Sequence, residues 1–584
     1  MAGAIQEQQN VQLVRRTIPD SVPQFSGCSR LLGRIVASRG VMDEQSLSCE
    51  LKHLHPVSSL KDVDKATERL IEALEAQQRV LIVGDFDADG ATATALCQRT
   101  LLSIGFQHVD YIVPNRFEYG YGLTPEIIRV ALPYQPELII TVDNGISSAE
   151  GVEYARELGV DVIVTDHHLP GRVLPDAAAI VNPNQPGDTF ASKNLAGVGV
   201  VFYLMLALKQ ALAQRGYFQQ NNVAPPNIVR WLDLVALGTV ADVVPLDANN
   251  RILVEQGLRR IRSGQCSAGV MALLKVAKKT YQQVCSQDLG FACGPRLNAA
   301  GRLDDMSLGI ECLLTDSEEV AMNLAAELDD MNRTRRELES DMKQEALEQL
   351  GSIQLSLDHV PPVICLYHEQ WHQGVVGIIA ARLRERYYRP CIIFAPGPEG
   401  EIKGSGRSIP GVHMRDVLDR VATLNPGLVE KFGGHAMAAG LSLKIADFDA
   451  FQTAVTRVVT DQTEKDASVF CEEILSDGEL EPEFFSLATA KELSQHLPWG
   501  QGFPAPVLDD VFEIVERREL KQTHLKYMLR KKGLSAVLPA IVFNVAPENW
   551  PVPGDSAHFL YQLSVNEYNG QQSLQIMIQR LLAG

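Results

Sequence analysis

Val80-Leu-Ile-Val-Gly-Asp-Phe-Asp-Ala-Asp-Gly90 is a short apolar run that ends in three closely spaced carboxylates. Its branched apolar residues are typical of a strand buried on both faces of a parallel sheet. Similar runs follow along the chain, separated by helix-length stretches, at Val109–Val113, Leu138–Val142 and Val162–Thr165. The pattern predicts an α/β domain built around a parallel sheet.

Polar residues come directly after each of these runs. They are Asp85, Pro114-Asn115-Arg116, Asp143-Asn144-Gly145 and Asp166-His167-His168. In open parallel sheets, ligands bind beyond the carboxyl ends of the strands. We therefore expect these residues to gather at one edge of the sheet and to form a site there.

The carboxylates of Asp85, Asp87 and Asp89 would repel one another strongly without a cation between them. The same string opens an EF-hand loop, but an EF-hand requires a glutamate at the twelfth position and a preceding helix. Here the twelfth residue is Leu96 and a strand precedes the loop, so the EF-hand is excluded.

Five more residues offer oxygen or imidazole ligands at predicted strand or helix ends: Asp143, Asp166, His167, His168 and Asp242. A mixed Asp/His set favours Mn²⁺ or Mg²⁺ in a two-metal site over a structural zinc. Two such cations, about 3.5–4 Å apart, could activate a water and neutralise a phosphoryl transition state.

The composition excludes several other classes. The formal net charge of −19 is unsuited to a non-specific coat on a polyanion, so any nucleic-acid contact needs local basic patches. None of the ten cysteines forms a C-x-x-C pair, which argues against zinc ribbons and fits a reducing compartment. The N-terminus lacks a secretory pattern, and the longest apolar run, Val198–Leu208, is shorter than the ~20 residues of a membrane span. We expect a soluble, cytoplasmic protein without membrane contact.

The chain divides into an N-terminal segment (1–50), the first α/β domain (51–315), a connecting helix (316–352), a smaller α/β domain (353–465) and an all-β domain (466–584). Apolar residues at helical spacing predict the connecting helix. In the smaller domain we expect strands near Val363–Leu366 and Cys391–Phe394 and glycine-rich turns at 404–406 and 433–434. A helix is also expected near Trp231–Gly238, ending at Asp242.

The last domain shows strand-type alternation around a strong hairpin turn at Asn569-Gly570. A partly open barrel of the oligonucleotide-binding (OB) type is the predicted fold.

Four motifs resemble, in order, those of the DHH phosphoesterase superfamily: Asp85–Gly90, Val142–Gly145, Asp166–His168 and Gly238–Asp242. Four others resemble its single-stranded-DNA-specific exonucleases: Val113–Gly122, Gly294–Arg302, Trp371–Gly377 and Gly433–Gly440. The resemblance extends from about residue 20 to the C-terminus and is weakest in the β-domain.

This resemblance implies hydrolysis of single-stranded DNA from the 5′ end to 5′-mononucleotides, with two divalent cations, Mn²⁺ or Mg²⁺, in DNA repair and recombination. By position, the metal ligands are Asp85, Asp87, Asp89, Asp143, His167 and Asp242. The catalytic pair is His168, beside the scissile phosphate, and Asp85; which carboxylate bridges the ions stays open. A monomer is expected, with a single-strand-binding protein and a helicase as the implied partners.

Other residues are suited to hold the substrate. Arg116, Arg296, Arg302 and Arg407 are expected in loops, where a guanidinium can grip a phosphate with two parallel bonds, although surface arginines more often form salt bridges. Nearby candidates are Asn298, Ser405, Gly433, Gly434 and His435.

A basic stretch in the β-domain could bind the strand, with Tyr527 available for stacking; a simple solvated face is the alternative. Its members are Arg517, Arg518, Lys521, Lys526, Tyr527 and Arg530.

Two alternatives remain open at this point. The same metal motifs serve phosphodiesterases of short oligonucleotides or cyclic dinucleotides, although such small substrates need no additional β-domain. Some DHH relatives are non-catalytic replication scaffolds, but those have lost metal ligands that this chain keeps.

Overall fold

The structure is a computed structural model that describes residues 11–115, 119, 122–352, 360–464, 466–521, 523–568 and 570–583. Arg116 and Asn569 lie outside the described residues, so the roles expected of these two residues stay predictions. The first strand, β1 (Val11–Arg15), pairs in parallel with β12 (Glu472–Ser476), which precedes the C-terminal barrel. The N-terminal segment is thereby joined to the far end of the chain.

A five-stranded parallel sheet in the order β3-β2-β4-β5-β6 forms the centre of the first domain, as predicted. Its strands are β2 (Val80–Gly84), β3 (Val109–Ile112), β4 (Leu138–Val142), β5 (Asp161–Thr165) and β6 (Ala179–Val181). The three-residue strand β6 was not predicted.

The helices of this domain build apolar cores on both faces of the sheet. They are α1 (Arg30–Ala37), α2 (Glu44–Leu47), α3 (Val63–Glu75), α4 (Ala88–Ile104), α5 (Pro125–Ala131), α6 (Ala149–Glu157), α7 (Gly197–Gln214), α8 (Tyr217–Gln220), α9 (Leu232–Ala241), α10 (Ala248–Arg262), α11 (Ala268–Val276), α12 (Ser286–Asp288), α13 (Gly294–Leu303) and α14 (Ser307–Leu314). A π-helical turn, Leu289–Cys293, directly precedes α13.

Helix α7 is the one helix among the described residues that is long and apolar enough to cross a membrane by those criteria alone. It is instead a core helix. Val198, Val201 and Leu204 are fully buried, and α7 packs against α4, α3 and α9.

The long helix α15 (Glu318–Ser352) joins the two α/β units. Near its start, Ala321, Ala325 and Leu328 pack into the core of the first domain, whereas Met342 and Ala346 pack into a core of the second. That second unit contains β7 (Ile364–Tyr367), α16 (Val376–Tyr387), β8 (Cys391–Pro396), β9 (Glu401–Arg407), α17 (Met414–Leu424), β10 (Lys431–Gly434), β11 (Ala438–Lys444) and α18 (Phe448–Thr463).

The prediction of glycine-rich turns in this unit is wrong. Residues 404–406 lie inside β9, and Gly433 and Gly434 lie in β10, within a mixed sheet of order β10-β11-β9-β8-β7. A Cβ at Gly404 would come within 2.5 Å of the Phe394 ring, so glycine here permits close packing inside a strand.

After α19 (Leu487–Gln495), the chain forms a closed five-stranded barrel in the order β13-β14-β15-β17-β16. Its strands are β13 (Leu508–Leu520), β14 (His524–Arg530), β15 (Leu538–Val542), β16 (Ser556–Tyr568) and β17 (Gln571–Ala583). The predicted OB-type barrel is therefore present, but it is closed and not partly open, because β15 pairs in parallel with β17. The predicted hairpin joins β16 and β17.

Candidate metal centre and nucleic-acid interface

The site lies where the order of the parallel sheet changes direction. Strand β2 is followed along the chain by β3 on one side and then by β4 on the other, and such a switch point leaves a crevice beyond the strand ends. Asp85 follows β2 and Asp143 follows β4, so the topology brings these two carboxylates together.

A tight strand–turn–helix connection positions the first three carboxylates. Asp87 caps α4, with its Oδ1 accepting from the backbone N–H groups of Asp89 at 2.9 Å and Gly90 at 3.0 Å. Asp89 is 1 % exposed and accepts from the N–H groups of Gly197 and Val198 at 2.6 and 3.0 Å, at the N-terminus of α7. The positive end of that helix dipole stabilises a buried carboxylate.

His167 lies at the centre of the acidic cluster. Its Nε2 is 3.2 Å from Asp143 Oδ1 and 3.4 Å from Asp242 Oδ2, yet this buried nitrogen makes no hydrogen bond with any described residue. Burial lowers the pKa of His167 to about 4, so the ring is neutral at physiological pH. A neutral imidazole nitrogen that faces two carboxylates is suited to bind a metal ion.

His168 has a different environment, which Asp166 provides. Asp166 Oδ1 accepts from His168 Nδ1 at 2.7 Å and from the N–H groups of His167 and His168, and its Oδ2 accepts from Ile146 N–H at 2.9 Å. Burial opposes the charge on His168, but Asp166 outweighs burial and raises the pKa of His168 to about 9. The sequence suggested Asp166 as a ligand; its oxygens are occupied, and it orients the histidines instead.

The remaining carboxylates are buried close to one another, as expected of a site that binds cations. Burial and the neighbouring carboxylates raise the pKa of Asp143 and of Asp242 well above the usual range, and burial with Asp87 raises the pKa of Asp89 to about 7. A divalent cation would remove this repulsion and favour the ionised forms. The residues present therefore fit such ions.

Three groups of potential ligands lie within 4.8 Å among the described residues: Asp85, Asp87 and Asp143; Asp89, His167 and Asp242; and Asp143, His167 and His168. Asp143 belongs to two of these groups, which makes it the carboxylate best placed to contact two cations.

Two predicted substrate contacts have structural roles. Arg296 lies on α13 and not in a loop; it donates to Ala292 O at 2.6 Å and forms an ion pair with Asp329 at 2.7 Å. Asn298, also on α13, accepts from Ala88 N–H at 2.7 Å through Oδ1 and so supports the start of α4. Their packing against the metal-site turn and α15 was not visible in the local sequence.

Four other predicted residues line one cleft of about 580 Å³ between the domains: Arg302, Ser405, Arg407 and Gly433. Arg302 is on α13 and Arg407 ends β9, so the expected loop positions are wrong for both. Arg407 donates to Ser405 Oγ at 3.0 Å, and a Cβ on Gly377 would lie 3.0 Å from both side chains. The N-terminus of α16 therefore faces them.

Gly434 ends β10, and His435 follows it. Burial and the positive charge of His168 both lower the pKa of His435. His435 of the second α/β unit therefore lies near enough to His168 to be affected by its charge.

Two of the five cations in the basic stretch of the barrel are held by partners within the barrel. Arg517 donates to Trp550 O and Pro547 O at 2.8 and 2.7 Å, and Arg530 forms an ion pair with Glu513 at 2.9 Å. Tyr527 is 1 % exposed and donates to Pro551 O, so its predicted stacking role is wrong because the ring belongs to the barrel core. The exposed cations that remain from that set are Arg518, Lys521 and Lys526.

The sequence did not reveal the residues that hydrogen-bond to the backbone of the two histidines. Asn182 and Asn184 donate to the carbonyl oxygens of His168 and His167 at 3.0 and 2.6 Å. They follow β6, and the one signal for them was the sequence Asn182-Pro-Asn184 after an apolar triplet.

Three family models match the chain: the DHH family N-terminal domain at residues 79–239, the DHHA1 domain at 361–461 and the RecJ OB domain at 476–580. With the switch-point carboxylates and histidines, they define a metal-dependent phosphoesterase of the DHH type.

The chain is 50 % identical to the single-stranded-DNA-specific exonuclease RecJ of Escherichia coli, over 98 % of this chain and 99 % of that protein. It is 35 % identical to RecJ of Bacillus subtilis, over 89 % of this chain and 63 % of that protein. The crystal structure of Thermus thermophilus RecJ in complex with Mn²⁺ matches with a TM-score of 0.76 and 29 % identity, covering 95 % of this chain and 76 % of that one. The chain belongs to the RecJ family of single-stranded-DNA-specific exonucleases.

Proposed function

We propose that the protein degrades single-stranded DNA from the 5′ end, releases 5′-mononucleotides and acts in DNA repair and recombination. Its cofactors are two divalent cations, Mn²⁺ or Mg²⁺, and its substrate is single-stranded DNA. The observation that carries the 5′ polarity is the cationic cleft directly beside the metal-site turn.

A short series of contacts links the cleft to the carboxylates. A Cβ on Gly301 would lie 1.8 Å from Phe86 O, between Asp85 and Asp87, so α13 packs directly on the metal-site turn. The next residue, Arg302, donates to Gly374 O at 3.3 Å in the second α/β unit. A phosphate in the cleft would therefore lie next to the element that packs on the metal-site turn, which favours removal of nucleotides from an end.

The cleft suits a terminal phosphate better than an internal one. Arg302, Arg407 and Lys403 supply positive charge, Ser405 supplies a hydroxyl, and the start of α16 adds helix-dipole attraction. A terminal phosphate carries more negative charge than a diester, so this set of donors selects it.

When bound, the cations polarise the phosphoryl oxygens and lower the pKa of a bound water. Asp166 holds the ring of His168, and Asn182 and Asn184, which follow β6, hold the backbone of both histidines. With its raised pKa, His168 holds a proton at neutral pH and places positive charge beside the phosphoryl group. Burial of the site strengthens these interactions.

A cytoplasmic monomer that acts with a single-strand-binding protein and a helicase completes the proposal. The barrel supports a role on single-stranded DNA, because OB folds bind oligonucleotides. Exclusion of duplex DNA follows if the space between the domains admits one strand.

The test uses a 30-nucleotide strand with a 3′ label, carrying either a 5′-phosphate or a 5′-hydroxyl. Wild-type protein with Mn²⁺ should release 5′-mononucleotides while the label stays on shortening fragments, and should prefer the phosphorylated strand. Arg407→Gln should raise KM and erase that preference, whereas Arg457→Gln, exposed on α18 of the same unit, should behave as wild type. Loss of the 3′ label first would refute the polarity, and cleavage of only di- to pentanucleotides would favour a small-substrate phosphodiesterase.

A further inference from the structure

Phe291 is a large aromatic side chain that is 78 % exposed, beside the metal centre. It lies in the π-helical turn Leu289–Cys293, and such turns are frequent at functional sites. The turn is held in place, because Arg296 donates to Ala292 O at 2.6 Å and is itself paired with Asp329. The backbone that carries the exposed ring is therefore held in place.

The turn packs on the end of α9, which carries Asp242. A Cβ on Gly290 would lie 3.1 Å from Val240 Cγ1, and one on Gly294 would lie 3.1 Å from Ala241 Cβ. Phe291 stands between these two glycines, and so within one helical turn of the metal-ligating end of α9.

Val243, directly after Asp242, is a second exposed apolar residue at this place. It is 62 % exposed and has a φ of +61°, a strained conformation for a β-branched residue. Strain of this kind persists where the surrounding structure enforces it. Val243 and Phe291 are thus two exposed apolar residues on elements that meet at the end of α9.

Both segments also contact the residues that lead into the barrel. Leu246 N–H donates to Gln501 O at 2.7 Å, and Ser286 Oγ donates to Trp499 O at 2.6 Å. The stretches of chain that carry Val243 and Phe291 therefore connect the metal centre with the segment that leads into the barrel.

We propose that Phe291 stacks against a base of the single strand between the barrel and the metal centre. This inference rests on the proposed function. Every base has a π-face, so an exposed ring gives sequence-independent affinity for unpaired bases. Bases inside a duplex are stacked already, so the contact also discriminates against duplex.

The test compares wild type with Phe291→Ala, Phe291→Leu and Phe291→Trp. For Phe291→Ala we expect KM to rise about 5- to 150-fold, the range for loss of one base stack, with kcat near wild type. Phe291→Trp should retain the wild-type KM, and Phe291→Leu should not. The matched control is Tyr134→Ala, an exposed aromatic that precedes β4 at the opposite edge of the sheet.

A strand with abasic sites over its first ten nucleotides separates stacking from a structural role. Wild type and Phe291→Ala should then have equal KM values, because no base is present to stack. An equal KM on the intact strand, or the same loss on the abasic strand, would overturn the proposal.

A binding measurement keeps the inference distinct from the proposed function. With EDTA present, binding is measured with a set of strands that each carry one 2-aminopurine at a different position. Wild type should quench the 2-aminopurine fluorescence at one position where Phe291→Ala does not. If wild type releases no nucleotides, the proposed function fails, whereas absence of any Phe291-dependent position defeats this inference alone.

Discussion

The metal centre and the basic stretch of the barrel both contain closely spaced like charges in the sequence, but the two sets have different surroundings in the structure. In the metal centre, the carboxylates of Asp89, Asp143 and Asp242 are buried near one another, and their pKa values are raised. In the barrel, Arg517 and Arg530 are neutralised by carbonyl oxygens and by Glu513. Like charges buried against one another indicate a ligand, whereas charges paired with opposite charges or carbonyl oxygens indicate architecture.

The largest expected effect comes from removing the carboxylate shared by two ligand groups. Asp143→Asn should lower kcat at least about 10³-fold, since several kcal/mol of charge stabilisation would be removed and about 1.4 kcal/mol corresponds to a factor of ten. In EDTA the variant should melt no lower than wild type, because it no longer has a buried carboxylate whose pKa is raised. Mn²⁺ should raise the melting temperature of wild type but not of the variant. If Asp143→Asn kept an activity near that of wild type, Asp143 would not be a shared ligand of the cations.

The barrel offers the converse case in Lys531, which forms a buried ion pair with Asp510. Asp510 also accepts from Tyr561 Oη at 2.6 Å and Leu480 N–H at 3.1 Å. Lys531→Met would leave a buried charge without its partner and should lower the free energy of unfolding by about 3–5 kcal/mol, measured by urea denaturation. Lys526→Met, on an exposed position of the same sheet, should have little effect. Equal midpoints for the two variants would contradict this interpretation.

A smaller effect is expected from Asp166, which orients His168 without belonging to any of the three ligand groups. Asp166→Asn should lower kcat about 10- to 100-fold, the range for residues that orient metal ligands, with KM nearly unchanged. Metal titration followed by melting temperature should still show binding. A loss as large as that of Asp143→Asn would mean that Asp166 binds a cation itself.

The smallest effect concerns the exposed cations of the barrel. Arg518 and Lys526 are cross-strand partners on its outer face. Replacing both with Ala should weaken single-strand binding a few-fold and reduce the slope of log K against log salt by about 0.7 for each phosphate that is no longer neutralised. Stability should not change. An unaltered slope would show that the strand passes elsewhere.

Much of the fold could be predicted because it depends on short-range patterns. The short runs of branched apolar residues in β2, β4 and β5 predict strands buried on both faces of a parallel sheet. The alternation of apolar and polar residues in β16 and β17 predicts strands with one face toward a barrel core. Strand β6 was missed because three residues carry too little pattern. The limits drawn between the domains remain predictions.

The candidate ligands were predictable for a similar reason, as each follows a strand or ends a helix and its chemistry is local. The partners that the arginines acquire on folding were not predictable. Arg296 and Arg302 both belong to α13, yet Arg296 is paired with Asp329 of α15, whereas Arg302 reaches a cleft formed with the second α/β unit. Nothing in the nine residues 294–302 distinguishes them.

The sequence by itself determined the parallel sheet, the acidic turn after β2 and the ligand chemistry, because hydrophobic period and residue type act over a few positions. Only the tertiary structure decided which charges are compensated, that residues 404–406 form a strand, and that Phe291 stands exposed beside Asp242. Those outcomes depend on partners tens to hundreds of residues away. Burial and pairing are properties of the neighbours a residue acquires on folding.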